Sequence, residues 1–358
     1  MKKISKLFLL SAMMMLSLSI VSCDNNVIYE NQPECATVVK FIYTKHRQAL
    51  HSVNLIGHDA FSTSVEKVHL FIYDNNTGKL VMDKTEDASN LLSGLDLGLN
   101  GDSEKSYMKV NLAPGSYRLV AWCGLDESDQ NNAFYLSNTK AGYSECNVKL
   151  KDNNQPVNLE KYEHLYHGSV ASAQVPTAPH STVVIPVELT KNTNDISVWV
   201  QHTTSTFDDG DYTVVYTDAN GTMNFDNNAL TNDNILEYHP HTTSTLTSDS
   251  EYNGSIVKSG ALIAHISTAR LMAHRSEDAK LEVRDKEGKV IYSLPFIKYL
   301  TQMQTFTSDH QYYLDCEDTY NCTFYLTGDA GNWLPMQIII NNWTLVPNQS
   351  GGLEGDDN

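Results

Sequence analysis

The chain has 358 residues and a formal net charge of −18, from 43 acidic and 25 basic side chains. This charge excludes nucleic-acid binding through a basic, phosphate-neutralising surface and favours a soluble protein that repels other acidic surfaces. The length allows two domains of ordinary size, each with its own buried core.

The first predicted element is an export signal. Lys2, Lys3 and Lys6 precede the apolar run LFLLSAMMMLSLSIV, which is shorter than the ~20 residues of a membrane-spanning helix. The run ends in IVSC rather than in an A-x-A-like cleavage site. A small residue directly before a cysteine resembles a bacterial lipobox, which predicts cleavage between Ser22 and Cys23 and a lipid on Cys23. A plain signal peptide with a coincidental cysteine is the alternative.

A lipid on Cys23 would hold the mature chain on a membrane leaflet, because each buried CH₂ group contributes about 0.8 kcal/mol. Loss of residues 1–22 removes three lysines, so the formal charge changes from −18 to −21. No other segment is long and apolar enough to span a bilayer. We therefore expect a polar tether over residues 23–34 and an exported soluble part after it, on a side of the membrane that the sequence leaves open.

β-strands are the main element predicted after the tether. Short runs rich in β-branched and aromatic residues alternate with Asn, Asp, Gly and Pro, which is typical of strands and turns. Helical signals are few, at residues 87–99 and 160–170. The main runs are ATVVKFIYT (36–44), VEKVHLFIYD (65–74), YMKVNL (107–112), APGSYRLVAWCG (113–124), NVKLK (147–151), TVVIPVELTK (182–191) and MQIIINNWTLV (336–346).

The strand pattern divides into two halves. VHLFIYDNNTGKLVM (68–82) and KLEVRDKEGKVIYSL (280–294) share a strand ending in Asp, a turn ending in Gly-Lys and a second strand, which predicts a hairpin in each half. Whether the halves are duplicates is left open. The Pro-containing stretch 172–182 marks the boundary, so we predict one β-sandwich over 35–180, another over 181–346, and an acidic tail over 347–358.

Catalytic motifs are absent from the sequence, which contains no nucleophile elbow, P-loop, zinc-protease or dinucleotide-binding signature. His164 and His167 have the spacing of two ligands on one helical face, but a surface turn packed by Tyr162 and Tyr166 is favoured. We therefore predict no enzyme activity, no catalytic residue, no cofactor and no metal site.

Five cysteines remain if Cys23 carries lipid. An odd number allows at most two disulfides in one chain. The spacing of Cys316 and Cys322 suggests a local disulfide between them, although spacing does not fix connectivity. No C-x-x-C pair is present, which disfavours a structural zinc site.

Tryptophans bear on sugar binding, because a row of exposed aromatic rings would favour it. Trp122, Trp199 and Trp343 lie within strand runs, and we predict that each packs in a core. Trp333 lies at the entry to a strand, and the sequence does not decide whether it is buried or exposed. These predictions argue against a glycan-binding platform.

Several segments together resemble the fimbrillin-associated anchor proteins of type V pili, the fimbriae of gut and oral anaerobes. Each segment alone is weak evidence for the resemblance, but the order of the segments across residues 23–346 is specific to the family. After the lipobox cysteine they are C-x-x-x-V-x-F-x-Y from Cys35 to Tyr43, VHLFIYDNNTGKLV, APGSYRLVAWCGL, LYHGSV, ELTKNTNDISV and IIINNWTLV.

The resemblance implies an all-β chain of two tandem transthyretin-like β-sandwiches without enzyme activity. It implies a lipoprotein that anchors the base of a fimbria at the outer membrane, faces the cell surface and limits fimbrial length. The implied partners are the stalk subunit, other minor fimbrial subunits and outer-membrane lipid through Cys23. Subunits would join by strand complementation, with main-chain hydrogen bonds and side-chain pockets along an open sheet edge.

A fimbrial tip or stalk subunit is the alternative within this family. In stalk subunits a protease cuts after an arginine and removes the first strand, and here Arg47 comes three residues after the strand run 36–44. A disulfide between Cys35 and Cys123 would block that release and favour the anchor.

The end of the chain favours an anchor as well. The tail after residue 346 contains Pro347 and paired glycines, which do not suit a long donor strand. We therefore expect the run 336–346 to complete the second sandwich. An alternative of another class is a glycan-binding surface lipoprotein of a nutrient-uptake system, which would share the lipid, the charge and the β content.

Overall fold

The computed structural model describes most of the chain after the expected tether. The predicted signal peptide, Cys23 and Cys35 lie outside the described residues. The described residues are 36–47, 57–99, 101–125, 132–137, 142–151, 162–177, 181–203, 205–208, 210–230, 233–302, 309–328, 334–341, 343–347 and 353–354.

Strands make up most of the described chain, so the predicted all-β class is confirmed. Those of the first half are β1 (Thr37–Ile42), β2 (Lys67–Asp74), β3 (Leu80–Asp87), β4 (Leu92–Ser93), β5 (Lys105–Val110), β6 (Gly115–Cys123), β7 (Phe134–Ser137), β8 (Asn147–Leu150), β9 (Tyr166–Val175) and β10 (Val183–Lys191). Those of the second half are β11 (Thr193–His202), β12 (Tyr212–Asp218), β13 (Thr222–Asn224), β14 (Leu236–Tyr238), β15 (Thr242–Tyr252), β16 (Ser255–Ala269), β17 (Lys280–Asp285), β18 (Val290–Leu294), β19 (Thr319–Thr327), β20 (Leu334–Ile340), β21 (Trp343–Pro347) and β22 (Leu353–Glu354).

The described helices are short. The α-helices are α1 (Phe61–Ser64), α2 (Phe296–Gln302) and α3 (His310–Cys316), and 3₁₀ turns lie at Ala88–Asn90, Leu95–Leu97, Tyr143–Glu145 and Ala273–Arg275. Two of these turns fall in the stretch 87–99, where the sequence predicts a short helical turn. The helical signal at 160–170 is wrong for its described part, because β9 begins at Tyr166.

The first half is built on an eight-stranded sheet in the order β3-β2-β6-β9-β10-β1-β5-β4. Val39 and Phe41 of β1 share one hydrophobic core with Leu70 of β2 and Leu119 of β6. Strands distant in the order therefore face each other across that core. A sheet that encloses its own apolar face in this way buries one side of each strand, which explains the alternating runs in the sequence.

The second half pairs a seven-stranded sheet, in the order β15-β16-β11-β19-β20-β21-β22, with a four-stranded sheet, in the order β14-β12-β17-β18. Ile196 and Val198 of β11 pack in the same core as Val214 of β12 and Val283 of β17. The inward residues of both sheets are apolar and alternate with outward polar ones, as in two packed β-layers.

Contacts cross the boundary that the sequence predicts near residue 180. β8 of the first half pairs with β13 of the second half, with Val148 opposite Met223. His167 on β9 donates a hydrogen bond from Nε2 to the carbonyl oxygen of Phe225 at 2.9 Å. The predicted division into separate tandem sandwiches at this position stays a prediction, and the two halves share a three-stranded sheet in the order β13-β8-β7.

The two hairpins predicted from the pattern shared by residues 68–82 and 280–294 are both present, as β2–β3 and β17–β18. In each turn the Asp side chain accepts a hydrogen bond from a backbone amide of its own turn, at 2.7 Å for Asp74 and 2.8 Å for Asp285. Gly78 and Gly288 have φ angles of 67° and 80°. These left-handed conformations favour glycine, so Asp and Gly set both turns.

Candidate functional site

The strand that a cut after Arg47 would remove is hydrogen-bonded along both edges. β1 pairs in parallel with β10 and antiparallel with β5. Val38, Val39 and Phe41 are each 0% exposed, and burying one such side chain stabilises the fold by about 1.5–3 kcal/mol. Removing β1 would therefore leave two strands unpaired along one edge and open an apolar groove.

Lys40 on β1 extends this attachment through Asp102. Its Nζ donates to Asp102 Oδ2 at 2.6 Å, and the hydroxyl of Tyr107 donates to the same oxygen at 2.8 Å. Partial burial opposes the charged form of Asp102, but these two hydrogen bonds outweigh it and hold the pKa of Asp102 below its usual value. The carboxylate thus links β1 to β5 by charge as well as by the strand ladder.

The chain that leaves β1 is held at its first turn. The backbone N–H of Tyr43 donates to Asp59 Oδ1 at 2.8 Å, and its carbonyl oxygen accepts from the N–H of Ala60 at 2.8 Å. The ring of Tyr43 meets that of Tyr166 edge to face, with centroids 5.0 Å apart.

Arg47, the predicted protease site, forms an ion pair with a buried carboxylate of the second half. Arg47 Nε lies 2.8 Å from Glu317 Oε1, and the side chains are 39% and 0% exposed respectively. Glu317 directly follows α3, and its other oxygen lies 3.5 Å from the hydroxyl of Tyr313. A buried carboxylate needs a partner charge and hydrogen bonds, so this ion pair ties the segment after β1 to the body.

Sequence reasoning found Arg47 but missed Glu317 and Asp102. Glu317 follows Arg47 by 270 positions, and no local pattern connects the two residues. The sequence offered a weak signal for α3, because Asp309 precedes it and Asp is a preferred N-cap residue. In the structure Asp309 accepts a hydrogen bond from the N–H of Tyr312 at 2.9 Å.

No disulfide joins two of the cysteines within the described residues. Cys123, Cys146, Cys316 and Cys322 are all buried, and no two of them are bonded to each other. The suggested disulfide between Cys316 and Cys322 is therefore wrong. Cys316 ends α3, whereas Cys322 packs in the core from β19. Cys35 lies outside the described residues, so its pairing with Cys123 stays a prediction.

His164 and His167 do not form a metal site. His164 is exposed, whereas His167 is 5% exposed and bonds to the backbone of the second half. Burial lowers the pKa of His167 to about 4. In the part of the chain that the structure describes, no group of three or more His, Cys, Asp or Glu side chains could hold a metal ion.

The tryptophan predictions are partly wrong. Trp122 is 0% exposed in the core, as predicted, but Trp199 and Trp343 are 38% and 44% exposed. Trp199 alternates with buried valines on β11, so it points away from the core that those valines occupy. The alternation carried this signal, because Trp199 shares its face of the strand with polar Ser197 and Gln201. Trp333 lies outside the described residues.

The run 336–346 lies in the seven-stranded sheet of the second half, and β22 follows it at the edge of that sheet. β20 pairs with β19, and β21 pairs with β20. Ile338 and Ile340 are fully buried there. Over the described residues no helix has the length and apolar character needed to cross a bilayer.

Solved structures similar to this fold include two from Bacteroides thetaiotaomicron and one from Porphyromonas gingivalis. A candidate adhesin of Bacteroides thetaiotaomicron is 27% identical, with 88% of this chain and 99% of that chain covered and a TM-score of 0.66. A candidate polysaccharide-binding protein of the same organism is 23% identical, with 89% and 100% covered and a TM-score of 0.67. The fimbrial anchor protein Mfa2 of Porphyromonas gingivalis is 15% identical, with 87% and 99% covered and a TM-score of 0.59.

A search of curated proteins finds no match. The family model described as fimbrillin-A associated anchor proteins Mfa1 and Mfa2 matches residues 32–349. Since this match spans most of the chain, the protein belongs to the family of fimbrillin-A associated anchor proteins.

Proposed function

We propose that this protein is a structural lipoprotein that anchors the base of a fimbria to the outer membrane. The lipid on Cys23 holds the protein in the membrane, and the folded part joins the stalk subunit by strand complementation. In this role the protein limits fimbrial length and has no enzymatic activity. Membership of a fimbrial anchor family supports a fimbria-associated protein of the cell envelope.

The observation that carries the proposal is the attachment of β1. An anchor must keep its first strand, because that strand connects the lipidated cysteine to the body. β1 is paired on both edges, and the segment after it is held by the ion pair between Arg47 and buried Glu317. These contacts favour a subunit that retains its N-terminal strand over one that releases it.

An edge suited to strand addition lies in the second half. β15 is eleven residues long, ends the seven-stranded sheet, and pairs with β16 on one side. Leu246 on this strand is 52% exposed. Long exposed edge strands accept a further strand through their free backbone groups, so we propose β15 as the edge that receives a strand of the stalk subunit.

Cys23→Ser tests the lipid anchor directly. Cells grown with an alkyne fatty acid should label the wild-type protein, which should sediment with the outer membrane. The Cys23→Ser variant should lose both the label and the sedimentation. Cys35→Ser, a matched change further along the N-terminal segment, should keep both. Labelling and sedimentation of Cys23→Ser at wild-type levels would refute the lipid anchor.

The same cells distinguish an anchor from a stalk or tip subunit. Peptide mapping of the protein from purified fimbriae should recover peptides from 36–47 within the same chain as the body. A mature N-terminus directly after Arg47 would identify a processed stalk or tip subunit instead.

A further inference from the structure

The outward face of the seven-stranded sheet carries an exposed tryptophan at its centre. Strand register places one row of side chains across this face, and two further rows lie beside it. The central row is Ser244, Ile263, Trp199, Thr323, Ile339 and Thr344; the row on one side is Leu246, Ala261, Gln201, Tyr325 and Gln337; the row on the other side is Thr242, His265, Ser197 and Asn321. We name these three rows the indole face.

The indole face lacks carboxylates and cationic Lys or Arg side chains. This is unusual for a chain that carries 43 acidic and 25 basic residues. Asp195, the nearest acidic residue along β11, lies in the next row and accepts a hydrogen bond from the hydroxyl of Ser267 at 3.2 Å. The surface around Trp199 is therefore made of hydroxyl, amide, imidazole and apolar groups, so it fits an uncharged ligand.

The indole face carries two aromatic side chains on neighbouring strands. Trp199 is 38% exposed, whereas Ile263 opposite it on β16 is only 7% exposed. The apolar surface offered at the centre is thus mainly the indole. Tyr325, half-buried, lies one strand and two residues away, which strand geometry places roughly 8 Å from Trp199.

Polar side chains border the indole, and two of them are hydrogen-bonded to each other. The hydroxyl of Ser197 and Nδ1 of His265 lie 2.9 Å apart, in the row beside Trp199. Gln201 follows Trp199 at the next outward position of the same strand. Thr323 lies opposite Trp199 on β19. An apolar ring surrounded by a few fixed donors and acceptors is the arrangement of a small-ligand site.

We infer that the indole face binds neutral carbohydrate, with one pyranose ring stacked on Trp199. One side of a pyranose ring presents C–H groups, which pack on the electron-rich face of an indole. Its hydroxyls can pair with the hydroxyl and amide side chains around it. Trp and Tyr also occur at protein–protein hot spots, but the Ser, Thr, Gln and Asn side chains around them match the hydroxyls of a sugar. This inference does not depend on the anchoring function.

The test measures binding of the full chain, purified in detergent, to a printed array of neutral hexose and N-acetylhexosamine oligosaccharides. Sialylated and uronic-acid oligosaccharides serve as acidic comparators. The wild type should bind at least one neutral series and bind the acidic ones weakly, because the chain is strongly negative. Absence of binding to every neutral series would overturn the inference.

Two variants locate the site. Trp199→Ala should weaken binding by about tenfold or more, because stacking and burial on the ring are lost together. Thr323→Glu, which places a carboxylate beside the ring, should also weaken it. Trp343→Ala is the matched control, since that exposed indole lies outside the indole face, and it should bind like the wild type. Thermal melts must show all three variants folded. Equal binding by folded Trp199→Ala and wild type would overturn the inference.

Discussion

The ion pair of Arg47 with Glu317 joins the segment that follows the first strand to the second half of the chain. Arg47→Ala would remove a cation from the fully buried Glu317 carboxylate. After allowance for the 39% exposure of Arg47, we expect a loss of about 1–3 kcal/mol in the free energy of unfolding. Urea denaturation of the purified protein measures this loss.

Two further variants make that result specific. Glu317→Gln in the Arg47→Ala background should recover part of the loss, because no unpaired charge then remains buried. Lys258→Ala removes a pair whose side chains are 68% and 65% exposed, and its unfolding midpoint should match the wild type. Equal effects of Arg47→Ala and Lys258→Ala would show that the Glu317 contact does not stabilise the fold.

His167 makes stability depend on pH. Burial lowers its pKa to about 4 in the folded state, against about 6.5 in an unfolded chain. The folded state therefore binds fewer protons between these values. Its stability is complete above about pH 6.5 and falls as the pH drops towards 4, by roughly 3 kcal/mol at most.

His167→Gln should flatten this pH dependence while keeping a donor for the carbonyl oxygen of Phe225. The measurement is the urea midpoint at intervals from pH 7 to pH 4. His164→Gln changes an exposed histidine nearby and should retain the wild-type slope. A slope in His167→Gln as steep as that of the wild type would assign the pH dependence to other groups.

At the scale of elements, β1 is the strand on which the anchor assignment depends. A chain that begins at residue 36 should keep the wild-type melting temperature, because it retains the whole strand. A chain that begins at residue 48 lacks Val38, Val39 and Phe41, which are all fully buried. It should melt at a lower temperature and bind a fluorescent hydrophobic dye through the exposed groove. Identical melts for the two chains would mean that β1 contributes little.

Much of the strand content was predictable from the sequence, because alternating apolar residues and Asp–Gly turns are local signals. The β2–β3 and β17–β18 hairpins follow from them, and so does the placement of 336–346 in the second-half sheet. α2 and α3 were missed because each has only seven residues, too few to show a clear helical period.

The remaining features depend on contacts between distant residues. The parallel pairing of β1 with β10, the pairing of β8 with β13 and the Arg47–Glu317 ion pair join segments that no local pattern relates. The wrong prediction for Trp199 has a different origin. Its neighbours on the outward face, Ser197 and Gln201, are polar, so the alternation in the strand did indicate that Trp199 points outward. Trp343 pairs with buried Ile340 on the neighbouring strand and is nevertheless 44% exposed.

At the scale of the whole molecule, the acidic surface and the buried first strand suit a protein held in the membrane at one end. The formal charge of −18 keeps the protein soluble and disfavours unspecific association. The strand edge of β15 and the indole face both belong to the second half, remote in sequence from the predicted lipid site at Cys23. Attachment to the membrane and attachment to partners would thus use different parts of the chain.

The most direct test of the anchor function is the state of the protein within the fimbria. Outer-membrane extract from cells labelled with an alkyne fatty acid should be separated on a gel without and with boiling, and probed for the protein's C-terminal tag and for lipid. The anchor function predicts a ladder that collapses on boiling, in which the tagged band carries lipid and retains residues 36–47. A ladder whose tagged band lacks lipid and begins after Arg47 would contradict it.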